Sequence, residues 1–445
     1  MLNGPGDQAA QRLRDAQRLQ ETKIKNSKLI TAEQHGIAVK QLCPNATEVV
    51  FRLQKAGYEA YIVGGSVRDL LLGKIPKDFD VATDATPEEV KVVFPRCHLI
   101  GRRFRLAHVR QGGVLVEVAT FRGEHNSDQA RHHEGRILRD NVWGSLEEDA
   151  IRRDFTINAL FLDPVSGVIK DFTGGYQDLA NRKLRLIGDP ETRYREDPVR
   201  LLRAARFVAK LGVEPAAGTA APIRNLASLL ENIPPARLFE EVCKLFLTGH
   251  AARTLEAMQR FHLMLPVFPV LKPAGGGGKV ETSQLLRQAM ANTDTRVREE
   301  RPVTPAFLYA VLLWQPVRER ADALMAQGQT ELQSLQQAGD EVVAVQVRRT
   351  AIPRRFSAVT RQIWEMQPRF QRTRGRNSLR ILHQPRFRAA YDFLLLLAEE
   401  DLELAPLVEF WTEAQRGVPA SPEPAKRTRR RRPRRRARKK SASSA

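Results

Sequence analysis

Cysteine is scarce in this sequence. The 445 residues hold three, Cys43, Cys97 and Cys243, far apart and odd in number. Such a set excludes a disulfide framework and a Cys-x-x-Cys metal site. A reducing, cytoplasmic compartment is expected. Long apolar runs are also missing. None approaches the ~20 residues needed to cross a bilayer, and the N-terminus lacks the apolar stretch of a secretory leader. His125, His132 and His133 lie in a polar segment with no cysteine beside them, which argues against zinc. Acidic residues are in short supply: 51 Asp and Glu against 72 Lys and Arg, a net charge of +21. That surplus favours a polyanionic partner, nucleic acid or an anionic membrane.

Along the chain, residues 1–33 read as a flexible N-terminal arm, polar and rich in Arg, Gln and Lys at first. Short runs rich in Val, Leu and Ala follow at 60–63, 79–82, 99–100, 106–109 and 114–120. A helical pattern covers 87–94. They make an α/β unit that ends near Leu186, with a polar loop over 123–144. From Pro198 the apolar residues Val199, Leu202, Ala205, Phe207, Val208 and Leu211 recur at helical spacing and stop at Gly212. The rest reads as helical to Arg416, with Trp314 and Trp364 as core residues. Gly275 to Gly278 interrupt it; they lack the form of a phosphate-binding P-loop and read as a linker. Residues 417–445 form a tail with twelve basic residues among the fifteen at 426–440. Such a tail cannot bury a core and is expected to be disordered. Without those twelve charges the remainder still carries +9. The fold class is therefore α+β: an α/β head with a mixed sheet, then an all-helical neck and body, then the disordered basic tail.

The chemistry concentrates in residues 61–86. A strand runs into Gly64-Gly65-Ser66 and then a helix bearing Arg68 and Asp69. Glycines let the backbone turn sharply beside a ligand, and the N–H groups at a helix start suit phosphate oxygens. About a dozen residues later comes Asp78-Phe79-Asp80 in a strand pattern. Residues i and i+2 of a strand share a face, so the two carboxylates point one way and Phe79 points into the core. Two like charges side by side call for a cation, and hard oxygen ligands select Mg²⁺ or Mn²⁺. A further acid should complete the site. Glu117 on the strand at 114–120 is one candidate. Asp154, in the cluster Arg152-Arg153-Asp154-Phe155-Thr156-Ile157-Asn158, is the other.

These motifs together resemble those of the DNA polymerase β-like nucleotidyltransferases. Arg152-Arg153-Asp154 and Glu196-Asp197-Pro198-Val199-Arg200 are similar to two motifs of the class II branch, which holds the bacterial poly(A) polymerases and the tRNA CCA-adding enzymes. Residues 99–109 look like the segment that separates the former from the latter. The resemblance runs from about residue 34 to 411. It implies a nucleotidyltransferase head over 34–187, a neck over 188–250 that binds the nucleotide base and RNA, and an RNA-binding body over 251–416. It implies Asp78, Asp80 and Asp154 as catalytic acids, with Asp78 and Asp80 as metal ligands. Gly64, Gly65, Ser66, Arg68, Arg152, Arg153, Asp197 and Arg200 would bind nucleotide, the last two at the base edge. The implied activity is addition of AMP from ATP to RNA 3′ ends with Mg²⁺ or Mn²⁺, forming poly(A) tails and promoting RNA decay. A tRNA CCA-adding enzyme and a non-catalytic RNA-binding protein are the alternatives. RNA-decay or RNA-chaperone proteins are the expected partners, RNA rather than a membrane the expected polyanion, and a monomer the expected state.

Overall fold

The computed structural model describes residues 27–101, 105–123, 142–274, 279–374 and 378–416, with the backbone alone at 132–133 and 136–137. The tail, His125, the glycine run at 275–278 and most of the arm lie outside the described residues. So does most of the loop expected at 123–144.

Eight strands form one sheet: β1 (Lys28–Ile30), β2 (Ala60–Val63), β3 (Asp80–Thr83), β4 (Cys97–Ile100), β5 (Leu106–Gln111), β6 (Val114–Thr120), β7 (Leu160–Leu162) and β8 (Ile169–Asp171). Their order is β1-β8-β7-β2-β3-β6-β5-β4. Only β3 and β6 pair in parallel; the other ladders are antiparallel, so the sheet is mixed as expected. The arm ends sooner than the expected boundary at 33, because Ile30 buries its side chain in the head core and Lys28–Ile30 pairs with β8. Asp78 stands just before β3 rather than inside it.

Helices α1 (Pro44–Lys55), α2 (Gly65–Leu71) and α3 (Pro87–Val93) pack on one sheet face. In α1 the buried residues Ala46, Val49, Val50 and Leu53 recur at helical spacing, and Pro44 opens the helix where no N–H is needed. In α3, Thr86 caps Glu89 N–H while the Glu89 carboxylate accepts from Thr86 N–H at 2.9 Å. Val81, Val116 and Val118 point to this face. The pleat therefore sends Asp80, Ala82 and Glu117 to the other face. There α4 (Leu146–Arg152) covers Tyr61, Val63, Ala82 and Phe161.

The chain then turns helical through α5 (Pro190–Glu196), α6 (Val199–Leu211) and α7 (Pro235–Phe246). Gly212 ends α6 in the left-handed region at φ 66°. Head residues Phe155, Ile157, Leu184 and Leu186 share one core with α6, α7 and the helices beyond. Trp364 is fully buried there, and Trp314 packs against Phe393.

Candidate active site

Strand pairing places a row of side chains across one level of the sheet. Val63 on β2 is the partner of Asp80 on β3. Asp80 is the partner of Glu117 on β6, and Glu117 of His108 on β5. All four share the face covered by α4. His108 Nε2 stands 3.3 Å from Glu117 Oε1. Asp78 and Asp80 make no ion pair among the described residues. Loss of surrounding water pushes the Asp80 carboxyl up to about 6; the negative charges of Glu117 and Asp78 add to this, and the Arg153 guanidinium opposes it. Asp80 is open to solvent on one side and crowded by protein on the other, so it can meet both a bulky ligand and the sheet.

Such a carboxylate group fits a hard divalent cation. Among the described residues no three side chains converge into a ready-made cage. Mg²⁺ does not need one, because it binds through one or two carboxylates and completes its shell with water and substrate phosphate.

The turn after β2 stands beside the row. Gly64 adopts φ 77°, ψ −127°, a conformation that a side chain disfavours, and α2 starts on the next residue. The N–H groups of Gly65, Ser66 and Val67 form its first turn, where no preceding carbonyl is available. The Ser66 hydroxyl is buried and donates to Val63 O at 3.1 Å.

The three arginines differ in their surroundings. Arg68 is 4% exposed and donates to Asp69 Oδ1 and, at 2.6 Å, to Asn158 Oδ1. Arg152 donates to the Gly123 carbonyl. Arg153 forks onto Asp149 Oδ2 at 3.0 and 2.8 Å, and its charge reaches Asp80. Asp154 is drawn into a buried lattice. It accepts from Arg203 Nε at 2.6 Å, from Phe155 N–H at 2.8 Å and from Asn158 Nδ2 at 3.1 Å. Burial alone would raise its pKa. The Arg203 charge, with the Asn158 and Phe155 bonds, outweighs that and holds the carboxyl below its ordinary value.

On the neck, the Asp197 and Arg200 side chains do not pair with each other, although Arg200 N–H donates to the Asp197 carbonyl at 3.0 Å. Asp197 Oδ2 accepts from Arg237 Nη2 at 2.8 Å, and Arg200 Nη1 donates to Glu196 Oε2 at 3.0 Å and to the Arg193 carbonyl at 2.5 Å. Arg203, Arg237 and His108 escaped the sequence reading, because no spacing ties them to partners 49, 40 and 9 residues away.

Comparison with known proteins bears on this site. The family profile "Poly A polymerase head domain" matches residues 60–185. "Probable RNA and SrmB- binding site of polymerase A" matches 212–274, and "Polymerase A arginine-rich C-terminus" matches 327–442. The chain is 47% identical over 423 residues to poly(A) polymerase I of Escherichia coli O157:H7, covering 90% of this chain and 91% of that one. It is 44% identical over 410 residues to poly(A) polymerase I of Haemophilus influenzae, covering 90% of each. Among solved structures, the Bacillus stearothermophilus CCA-adding enzyme in complex with CTP is similar, at TM-score 0.59 and 26% identity, over 84% of this chain and 83% of that one.

Proposed function

This chain belongs to the poly(A) polymerase family, and from that premise we propose how its residues polyadenylate RNA. It is a nucleotidyltransferase that adds AMP to RNA. The register pairing of Asp80 with Glu117, beside Asp78 and the Gly64 turn, carries the reading of the site. We assign Asp78 and Asp80 as ligands of Mg²⁺ or Mn²⁺, with Glu117 as the neighbouring third carboxylate. Bound there, the metal would supply charge neutralisation and a more acidic RNA 3′-hydroxyl. Two carboxylates that face solvent without a cation partner suit that role.

The remaining steps belong to the protein. The Gly64–Gly65 turn brings backbone N–H groups toward the triphosphate, and Gly64 leaves room for it. Arg153 adds positive charge on the same face, and Arg152 borders it. Arg68 and Ser66, both buried, hold the turn in shape. Asp154 sets the geometry of the cluster through Arg203 and Asn158. In the neck, Asp197 supplies an acceptor and Arg200 donors to the adenine edge. The 3′-hydroxyl then attacks the α-phosphorus and pyrophosphate leaves, so catalysis rests on position and electrostatics. The head from β1 to residue 187, the neck at 188–250 and the body at 251–416 divide these tasks, and the basic body and tail hold the RNA backbone. No described helix is long and apolar enough to cross a membrane. We place the work in the cytoplasm, with RNA-decay or chaperone proteins as partners.

Incubating the protein with an unstructured RNA primer and single nucleotides tests this reading. Long homopolymer from ATP alone is expected. Ordered addition of C, C and A to tRNA, without homopolymer, would overturn it.

A further inference from the structure

The helical body carries a cavity of about 390 Å³ that the proposed reaction does not use. It opens beside the end of α8 (Arg354–Glu365), at α9 (Gln367–Phe370) and at the residues that lead into α10 (Phe387–Ala398). Its floor is Met366, buried in a cluster with Phe370, Phe387 and Trp411. A floor packed in this way keeps its shape. The walls are polar: Gln362, Glu365, Arg369, Gln384 and Arg386. Among the described residues none of these five side chains has a hydrogen bond or ion pair. That contrasts with Arg361 and Arg388 nearby, which pair with Asp340 and Asp392. The cavity therefore gathers two unpaired guanidiniums, two unpaired amides and one unpaired carboxylate above an apolar base.

Each element has a counterpart in one unpaired ribonucleotide. Its size suits the space, since small-ligand pockets begin near ~300 Å³. A phosphodiester suits Arg369 and Arg386, because guanidinium donors match phosphate oxygens. The base can lie over Met366 while the Gln362 and Gln384 amides reach its edge. Glu365 would repel a bare anion. It is instead an acceptor for the ribose 2′-hydroxyl, the group that distinguishes RNA from DNA.

We propose that this cavity is an RNA subsite that seats one unpaired nucleotide upstream of the reacting 3′ end, with phosphate on Arg369 and Arg386 and ribose on Glu365. The proposal rests on the reading that the chain acts on RNA.

The test measures binding, so it is separable from catalysis. The full chain is titrated with fluorescent 20-nucleotide oligoadenylate and with its DNA counterpart over a range of salt. Arg369→Gln with Arg386→Gln should weaken RNA binding several-fold at fixed salt. It should also flatten the plot of log affinity against log salt by ~0.7, the value for one single-strand phosphate contact. Glu365→Gln should lower the preference for RNA over DNA. ATP binding should stay unchanged in both variants. An unaltered slope in the double variant would overturn the subsite. So would an equal loss in Arg96→Gln, at an exposed arginine of the head between α3 and β4, since the effect would then be diffuse charge. Loss of an acidic protein partner with RNA affinity intact would mark a protein-docking surface and also overturn the subsite. An unchanged RNA-to-DNA ratio in Glu365→Gln would remove the ribose contact. If the wild type fails to extend RNA with ATP, the proposed function falls, while the binding arms still decide the cavity.

Discussion

Asp80 and Glu117 are register partners on the two parallel strands of the sheet, and their side chains share one face. Their repulsion helps lift the Asp80 pKa and is relieved when a cation is bound. Asp78→Ala and Asp80→Ala should each abolish ATP incorporation into an RNA primer without lowering Tm. Glu117→Gln should lose ~10–100-fold in activity, the range for residues that support a metal site, with part of the loss recovered at high Mg²⁺. Wild-type rates in Asp80→Ala would discard the site.

Asp154 answers to a different measurement. Its carboxylate is 13% exposed and bound by Arg203, Asn158 and Phe155. Asp154→Ala leaves Arg203 without its partner. Breaking a buried pair costs ~3–5 kcal/mol, and partial exposure of Arg203 reduces this to ~2–4. Urea denaturation of Asp154→Ala, Arg203→Ala and the double variant should show strong coupling, because each single variant removes the same contact. A variant with wild-type stability but a collapsed kcat would move Asp154 into the reacting group instead.

The sequence disclosed the strands and helices of this region unevenly, for physical reasons. Alternation and turn residues exposed β2, β6 and α3, and the Gly64 turn with Asp78 and Asp80 carried its own chemical logic. Strands β7 and β8 were missed. Leu160–Leu162 is buried on both faces and lacks alternation, so periodicity cannot mark it as a strand. Strand β1 was read as arm because three residues carry too little pattern. The third acid stayed open between Glu117 and Asp154. Only strand register and the Arg203 contact distinguish their surroundings, and both depend on distant segments.

Gly64 can be tested by adding one methyl group. At φ 77°, ψ −127° a side chain is strained by ~1–3 kcal/mol. A Cβ would also stand 3.5 Å from Arg153 Nη1. Gly64→Ala should lower Tm by several degrees and raise the KM for ATP more than it lowers kcat, because the turn holds the triphosphate. Gly73→Ala is the control. It too has positive φ, but a Cβ there meets nothing within 4 Å, so it should cost stability and leave KM alone. Equal KM changes in both would detach the Gly64 turn from ATP.

Asp84 gives a pH prediction away from the metal ligands. Burial, then the Glu59 charge, raises its carboxyl to about 6. The folded state therefore holds the proton more tightly than the unfolded state, whose value is ~3.9. Stability falls as pH climbs from about 4 to 6, and the penalty is complete above 6. Because Asp84 is partly open to water, screening limits the penalty to ~1 kcal/mol. Asp84→Asn should thus raise Tm at pH 7.5 and give almost no gain at pH 4. An equal gain at both values would rule out titration of Asp84 as the cause.

Arg237 offers the sharpest separation of stability from specificity. It lies 46% exposed on α7 and meets Asp197 Oδ2 at 2.8 Å, while Val199 N–H donates to Asp197 Oδ1. The two contacts fix the plane of the Asp197 carboxylate. An exposed pair of this kind contributes only ~0–1 kcal/mol, so Arg237→Ala should leave Tm nearly unchanged. If Asp197 presents an acceptor to the adenine amine, loss of its fixed plane should raise the KM for ATP and narrow the preference for ATP over CTP. Each hydrogen bond that no longer discriminates removes ~1 kcal/mol of selectivity, several-fold in the ratio of kcat/KM values. Arg237→Lys keeps the charge and loses the planar fork, so it should fall between wild type and Arg237→Ala. Unchanged selectivity in both variants, with Tm intact, would show that Asp197 does not depend on Arg237 to read the base.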